Sequence, residues 1–266
     1  MPLSWPASEK DIAHFVAHLS LLGRVYSTVR TYLSGISSKH KLNGWSDPTE
    51  AFLVKKLLKG LARLTSKKDS RFPITFNRLK QIVAILPVIY SSSYEAVMYK
   101  AAFTVAFFGF LRISEIVGQE GSLHGGRLPL QLNQINLNNI SLQLWLHASK
   151  TDQSGQGCYA NMTRVGDSPD VCPVLAMQHF LVARPNMLDS LFIHFDGSCL
   201  TRYKFQAVLK KATHTLGWGA AGFSSHSFRI GAATTAAINA VPMQTIMQKG
   251  RWLSLAVRKY VRPDKA

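Results

Sequence analysis

His226-Ser227-Phe228-Arg229 opens an alanine-rich stretch near the end of the chain, and Gly250-Arg251-Trp252-Leu253-Ser254 follows it and leads to Tyr260. The alanine-rich stretch predicts a helix over 227–239. A single histidine, arginine or tyrosine is usually a surface or packing residue, so each of these side chains is weak evidence alone. Their order makes the set informative, because the histidine and arginine stand three residues apart and the tyrosine follows ten residues after a glycine.

Two cations upstream join this set. Arg112 lies in Phe110-Leu111-Arg112-Ile113-Ser114-Glu115, at the end of an apolar segment, and Lys150 lies near the tip of a predicted hairpin. A charged residue is rarely buried unpaired, so Arg112 either pairs with Glu115 or points into a cleft that needs a cation. Guanidinium groups bind phosphate oxygens, and an activated phenol can attack phosphorus. Two arginines, a lysine, a histidine and a tyrosine therefore suit the cleavage of a phosphodiester without a metal ion.

The charge of the whole chain points to a polyanionic partner. It has 31 lysines and arginines against 14 aspartates and glutamates, a formal net charge of +17 and a pI near 10. Such a surface attracts nucleic acid, although dispersed solvated lysines would give the same charge. With 266 residues, 47% of them hydrophobic, the chain is sufficient for one large or two modest folded domains, which argues against disorder.

The cysteines and the apolar runs argue against several other classes of protein. Cys158, Cys172 and Cys199 form no C-x-x-C pair and are odd in number, so we expect neither a disulfide framework nor a zinc module. A reducing compartment fits best. The longest apolar run, 101–111, is far shorter than the roughly 20 residues that span a bilayer, and the N-terminal residues do not resemble a signal peptide. We therefore expect a soluble intracellular protein without a membrane partner.

The first 64 residues predict a small helical bundle. Ser8 and Asp11 have the spacing of a capping box, and Asp47-Pro48 supplies a later helix start. Three apolar stripes have helical spacing: Ile12, Phe15, Val16 and Leu19; Val29, Tyr32, Leu33 and Ile36; and Leu53, Leu57, Leu61 and Leu64. Each stripe is the face that an amphipathic helix buries, so the three helices are expected to share one core.

Residues 65–74 predict a linker between two domains. Residues 65–71 contain no apolar side chain, and Phe72-Pro73 closes the segment. The linker carries three candidate DNA-binding cations: Lys67, Lys68 and Arg71. They would contact phosphates of a DNA backbone or, as the alternative, remain solvated.

Residues 75–266 predict a second, mainly helical domain with a small antiparallel sheet. Thr75 begins a helix, and the apolar segment 96–117 predicts one buried central helix that Arg112 and Glu115 end. Three short strands are predicted over 133–137, 141–147 and 157–163. Further helices are predicted over 172–182, 202–216, 227–239 and 242–248, with a last short one through Tyr260. The expected fold class is therefore mainly α, of the α+β kind.

The ordered motifs resemble those of the tyrosine recombinases, also called phage integrases. They are Arg112-x-x-Glu115, the hairpin Lys150, His226-x-x-Arg229 and Tyr260 after Gly250. The resemblance covers nearly the whole chain. The sequence around His226 is most similar to that of recombinases of eukaryotic DIRS-like and Crypton-like mobile elements. It implies the DNA breaking-rejoining enzyme fold, with a core-binding, DNA-clamping domain over 1–64 and a catalytic domain over 75–266.

The resemblance also implies a site-specific recombinase that cleaves and rejoins double-stranded DNA without metal, ATP or another cofactor. Arg112 and Arg229 would stabilise the charge on the non-bridging phosphate oxygens, and Tyr260 would be the nucleophile that forms a 3′-phosphotyrosyl link. Lys150 would protonate the leaving 5′-oxygen, and His226 would share the proton of Tyr260. Glu115 would orient an arginine. Such enzymes work as dimers or tetramers on DNA, in the nucleus of a eukaryote or the cytoplasm of a bacterium.

Two departures from the family pattern concern the end of the chain. The family usually has His or Trp directly after the glycine, where this chain has Arg251, and Trp252 stands one residue later. We expect Trp252 to reach the phosphate through a local shift, with Arg251 as a third cationic donor otherwise. Many relatives carry a further C-terminal helix that contacts a neighbouring subunit, whereas six residues follow Tyr260 here, so any assembly uses other surfaces or the chain is shortened.

Two other functions fit the same motifs. A domesticated, catalytically inactive DNA-binding protein would keep the fold but has no reason to keep Tyr260 and Lys150. A type IB topoisomerase-like enzyme would use similar chemistry, and strand exchange compared with plasmid relaxation separates it from a recombinase.

Overall fold

The structure of the protein is a computed structural model that describes residues 5–65, 69–117, 128–147, 155–219 and 222–266. The chain forms two compact units, Met1–Asp69 and Ser70–Ala266. Helices make up most of both units, and the second contains a three-stranded antiparallel sheet, so the predicted mainly α fold class is confirmed. Lys67, Lys68 and Lys150 lie outside the described residues.

The first unit packs three helices around one apolar core. They are α1 (Glu9–Leu21), α2 (Tyr26–Leu42) and α3 (Phe52–Thr65). The predicted capping box starts α1: the Asp11 amide donates to the Ser8 hydroxyl at 3.2 Å, and the Ser8 amide donates to the Asp11 carboxylate at 2.9 Å. The core of this unit contains Ile12, Val16, Leu19, Val29, Leu33, Ile36, Val54 and Leu61. Tyr32, which was expected in the second stripe, is 49% exposed.

The third predicted helix has the wrong start, and its stripe is confirmed only in part. Asp47 caps a separate 3-10 turn, Pro48–Glu50, and Ala51 is extended, so α3 begins only at Phe52. Leu61 is buried and Leu57 packs against the core, as expected, whereas Leu53 and Leu64 are exposed and Val54 is buried. Asp47 does act as an N-cap, but it caps the turn Pro48–Glu50 and not the start of α3.

The second unit is built around α5 (Ser93–Phe108), which packs against α4 (Phe76–Ile89) and other helices. Burial is nearly complete along α5 because its residues are apolar on every side, which is the pattern of a central helix. The predicted stripe of α4, made of Leu79, Ile82, Val83 and Leu86, is buried as expected.

The predicted single helix over 96–117 is also wrong, because α5 ends at Phe108. Phe110 takes a left-handed conformation at φ 50°, and the Leu111 amide bonds to the Ala106 carbonyl at 3.0 Å, the hydrogen bond of a Schellman helix end. That position usually holds glycine, so a phenylalanine there gives no stop signal in the sequence. Arg112 does not end a helix but precedes the single turn α6 (Ile113–Ile116).

The sheet has the order β1 (Ile135–Leu137), β2 (Ser141–Leu146) and β3 (Cys158–Thr163), with both pairs antiparallel, as predicted. Leu144 faces Ile135 on one side and Ala160 on the other. Leu142, Leu144 and Leu146 point into the core of the unit. In the sequence, Lys150 falls in the connection between β2 and β3.

Four helices close the second unit: α7 (Pro173–Ala183), α8 (Arg202–Thr215), α9 (His226–Ile238) and α10 (Met243–Gly250). A 3-10 turn, Leu255–Lys259, then leads to Tyr260, and a second one covers Pro263–Lys265. In the described part of the chain, no helix is long and apolar enough to cross a membrane.

The last part of the predicted linker packs on α9. The Phe72 amide donates to the Gly222 carbonyl at 2.8 Å, and the Ile74 amide donates to the Ser227 carbonyl at 3.0 Å. Ile74 is buried, and a Cβ on Gly231 would lie 1.6 Å from the Ile74 oxygen. Only glycine at position 231 therefore allows this backbone to approach α9, and residues 72–74 belong to the packed unit.

Candidate active site

Glu115 joins two of the site's arginines. Its side chain is fully buried at the single turn α6, and one carboxylate oxygen accepts from Arg112 Nη1 at 2.9 Å while the other accepts from Arg251 Nη2 at 2.9 Å. The second oxygen also accepts from the Arg112 amide at 2.8 Å, which fixes the carboxylate relative to its own helix turn. Of the two alternatives for Arg112, the structure shows pairing with Glu115. The carboxylate thereby orients both guanidinium groups.

Arg229 lies in the interior of the site, on the first turn of α9, and is 0% exposed. Its two terminal nitrogens donate to the carbonyl oxygens of Phe110 and Gly250. The same Phe110 oxygen accepts from Arg251 Nη2 at 3.2 Å, so the left-handed turn after α5 presents a carbonyl to two guanidinium groups. The end of α5, the start of α9 and the end of α10 therefore meet at these three residues.

The arginine cluster, defined as Arg112, Arg229 and Arg251, brings three guanidinium groups together around Glu115. Burial, followed by the Arg112 and Arg251 charges, lowers the pKa of Arg229, and the Glu115 carboxylate acts in the opposite direction. An anion bound in the cluster would act in the same direction as Glu115, because its negative charge favours the charged form of Arg229.

Two aromatic side chains lie against this cluster, and His226 contacts one of them. The Arg229 Cζ atom is 4.1 Å from the centre of the Trp252 ring and 5.7 Å from the centre of the Tyr260 ring. Tyr260 in turn is 4.9 Å from Trp252 and 5.0 Å from His226, measured between ring centres. Within the described residues, the buried Trp252 Nε1 has no hydrogen-bond acceptor. The site thus combines cationic donors, an imidazole, a phenol and an indole donor that is available to a ligand.

The end of α10 explains how Trp252 reaches the cluster one residue later than the family pattern has it. Arg251 is left-handed at φ 56° and ψ 44°, and the chain turns there so that Arg251 meets Glu115 while Trp252 packs on Arg229. A Cβ on Gly250 would lie 1.7 Å from the Trp252 ring. Glycine at position 250 therefore makes room for the indole as well as for the tight turn.

The candidate residues from the sequence are distributed unevenly. The structure brings together Arg112, Glu115, His226, Arg229, Arg251, Trp252 and Tyr260. Lys67, Lys68 and Lys150 are outside the described residues. Arg71 is half-buried and lies at the start of the second unit. Sequence reasoning missed the carbonyls of Phe110 and Gly250, since a backbone oxygen leaves no trace in residue type.

Thr234 was also missed. Its hydroxyl donates to the Tyr260 carbonyl oxygen at 3.1 Å, and the threonine is 0% exposed. A polar pair, Thr234-Thr235, inside the alanine-rich stretch was the available signal, because a buried hydroxyl must find hydrogen-bond partners.

Comparisons with known proteins show what the whole chain is similar to. No model of a known protein family matches the chain. The recombinase Cre of Escherichia phage P1 is 22% identical over 280 residues, which covers 97% of this chain and 77% of Cre. The structure of XerH site-specific recombinase, bound to its palindromic difH substrate, matches 98% of this chain and 70% of that chain with a TM-score of 0.67 at 15% identity.

Two further solved structures have the same fold. The Tn1549 transposon integrase, in complex with circular intermediate DNA, matches with a TM-score of 0.63 at 12% identity, over 98% of this chain and 82% of that one. A lambda integrase dimer bound to a COC′ core site matches with a TM-score of 0.58 at 13% identity, over 96% of this chain and 64% of that one. The resemblance to tyrosine recombinases and integrases is thereby confirmed. The narrower resemblance to DIRS-like or Crypton-like recombinases stays a prediction.

Proposed function

We propose that this protein is a site-specific DNA recombinase or integrase that cleaves and rejoins DNA through Tyr260. The observation that carries the proposal is the arginine cluster, in which Arg229 lies against the phenol of Tyr260 and the His226 imidazole contacts the same phenol. A phosphodiester is the anion that both parts of the site suit: its oxygens bind guanidinium groups, and its phosphorus is the atom that a phenol attacks.

The arginines stabilise the phosphate as the reaction proceeds. Negative charge grows on the non-bridging oxygens during attack, and donors that are already fixed in position stabilise this charge without reorganising. Arg229 has five N–H donors and uses two for the carbonyl oxygens that hold it, so others can bind a phosphate once the Trp252 or Tyr260 ring that covers it moves aside. Arg112 is held by Glu115, and the Trp252 indole N–H adds a neutral donor.

A bond between Tyr260 and phosphorus replaces the phosphodiester bond that is broken. Its phenolic oxygen bonds to phosphorus as the bond to the 5′-oxygen breaks, the phenol proton passes to His226, and Lys150 donates a proton to the leaving oxygen. The products are a 3′-phosphotyrosyl link and a free 5′-hydroxyl. A second 5′-hydroxyl then attacks the link and releases Tyr260, so the energy of the original bond is retained without ATP.

Double-stranded DNA is the proposed partner. The net charge of +17 favours a polyanion, and the similar structure of the Tn1549 integrase is a complex with circular intermediate DNA. The unit Met1–Asp69 would serve as a DNA-clamping domain, for which exposed lysines on α3, Lys55, Lys56 and Lys59, supply phosphate contacts. The protein would act as a dimer or tetramer. It would be encoded by a eukaryotic mobile element and would work in the nucleus.

Formation of a covalent adduct tests the proposal. Purified protein is incubated, with EDTA present, with nicked duplexes that carry the sequences flanking its own gene, and the products are run on a denaturing gel. Wild type should give a protein-linked DNA band, and Tyr260→Phe should give none, because this change removes one oxygen and almost no packing. Gel-shift binding and thermal unfolding of Tyr260→Phe should match wild type. A band that persists in Tyr260→Phe would contradict the assignment of the nucleophile, and wild type that binds these ends without an adduct would favour a DNA-binding protein.

A further inference from the structure

The backbone that carries Tyr260 is held by one side chain of α9. The Thr234 hydroxyl donates to the Tyr260 carbonyl oxygen at 3.1 Å and accepts from the Arg262 amide at 3.0 Å. An amide N–H can only donate, so the single hydroxyl proton of Thr234 is directed to Tyr260. The hydroxyl thus bridges the residues on each side of Val261.

This bridge links Tyr260 to the helix that carries two other candidate catalytic residues. His226 and Arg229 lie on the first turn of α9, and Thr234 lies two turns after His226 on the same helix. A helix is rigid over such a distance, since each residue is fixed by backbone hydrogen bonds. Thr234 therefore fixes the main chain of Tyr260 relative to His226 and Arg229.

Three other hydrogen bonds in the described part of the chain hold the same segment from outside α9. The Tyr260 amide donates to the carbonyl of Val257, which is 0% exposed. The Arg262 side chain donates from Nε to the Lys259 carbonyl at 3.1 Å and from Nη1 to the Arg71 carbonyl at 2.7 Å. These bonds shape the turn around Tyr260. The Thr234 hydroxyl connects the main chain of that turn to α9, in addition to the contacts of the Tyr260 ring with His226 and Arg229.

We propose that Thr234 is a positioning residue that holds the phenol of Tyr260 at its attacking distance from the phosphate bound by Arg229. The inference rests on the proposed function, in which Tyr260 is the nucleophile. A displacement of about 1 Å in a reacting group can cost roughly a hundredfold in rate. Thr234 does not contact the reacting atoms, so the expected defect lies in the chemical step, and DNA binding is unchanged.

Thr234→Val tests this role, because valine keeps the shape of threonine and removes the hydroxyl. Its neighbour provides the control: the Thr235 hydroxyl accepts from the Phe76 amide at 3.1 Å, at the start of α4. Thr235→Val removes a comparable hydrogen bond from the same helix. Thr234→Ser is the rescue variant, since it keeps the hydroxyl. Rates of adduct formation are measured on the nicked duplexes at saturating protein, beside gel-shift affinity and thermal unfolding.

Thr234→Val should form the adduct at least about tenfold more slowly than wild type, because two hydrogen bonds of ordinary strength are lost. Thr235→Val and Thr234→Ser should stay within about threefold of wild type, and all variants should bind DNA equally. If Thr234→Val does not fold, Thr234→Ala removes the hydroxyl without placing a methyl group against the Tyr260 carbonyl, and the same slowing is expected.

Equal adduct rates in wild type and in the hydroxyl-free variants at position 234 would overturn the inference and leave the proposed function intact. An equal loss in Thr235→Val would also overturn it, since the effect would then be one of general helix stability. Wild type that forms no adduct on its own ends would remove the proposed function and this inference together.

Discussion

At the scale of single residues, Arg229 has the most demanding environment in the site. It is fully buried, donates to two backbone carbonyls, and is covered by the rings of Trp252 and Tyr260. A contact between Arg229 and a phosphate therefore requires that one of these rings moves. An arginine that only held two carbonyls together would not need a second and a third guanidinium beside it, since these raise the energy of its charged form.

Arg229→Lys should slow adduct formation by about a hundredfold or more while DNA binding survives, because an ammonium cannot reproduce the planar pair of donors. Arg184→Lys is the matched control. Arg184 also donates to backbone carbonyls, among them Leu191 at 2.9 Å and Ser190 at 2.7 Å, but lies in another loop of the second unit. Both variants should lose thermal stability, and only Arg229→Lys should lose cleavage of a suicide substrate. Normal cleavage by Arg229→Lys would assign this arginine to the fold alone.

At the scale of elements, the site forms where one end of each of three helices, α5, α9 and α10, meets the others. The left-handed turn at Phe110 ends α5 and presents its carbonyl to the arginines, and the left-handed Arg251 ends α10 and places Trp252 on Arg229. The start of α9 supplies His226 and Arg229 themselves. These ends are held by the packing of α9 against α5, α10 and the extended residues 72–74.

Gly231→Ala should destabilise the second unit by at least about 3 kcal/mol, because the new Cβ would overlap the Ile74 backbone and neither side is a flexible side chain. Gly35→Ala is the control, since Gly35 lies within α2 and a Cβ there meets nothing within 4 Å. That change should be neutral or stabilise by about 0.5–1 kcal/mol through helix propensity. Chemical denaturation compares the two. A Gly231→Ala protein as stable as wild type would mean that residues 72–74 do not pack on α9 in solution.

At the scale of the whole molecule, the proposed binding of DNA depends on the charge and on the division into units. The formal net charge is +17, and the chain divides into the compact units Met1–Asp69 and Ser70–Ala266. Dispersed positive charge on both units favours backbone contacts over many phosphates. The affinity for DNA should then be set largely by counterion release.

The logarithm of the DNA affinity should fall steeply with the logarithm of salt concentration, with a slope of about −0.9 for each phosphate neutralised. Simultaneous replacement of Lys67, Lys68 and Arg71 by alanine should reduce this slope if the linker contacts the DNA backbone. Fluorescence anisotropy with a duplex of fixed length measures both. An unchanged slope in the triple variant would mean that these three cations are solvated, and a slope near zero in wild type would contradict phosphate-dominated binding.

The sequence by itself determined the elements whose signals are local. The capping box of Ser8 and Asp11, the stripe of α4 and the three strands follow from spacing and turn residues, and the structure contains them. The order of the motifs also sufficed for the family resemblance. Helix ends were less predictable. A phenylalanine follows α5 in a conformation that usually requires glycine, and Asp47 caps a short 3-10 turn and not the predicted helix.

Only the tertiary structure decided the contacts that make the site. Phe110 and Gly250 act through backbone carbonyls and Thr234 acts through one hydroxyl, and each of these partners is at least 21 residues away in the sequence. Arg229 and Phe110 are 119 residues apart. Periodicity reports which side of a helix is buried but not what it meets, because the partner is set by packing across the whole unit.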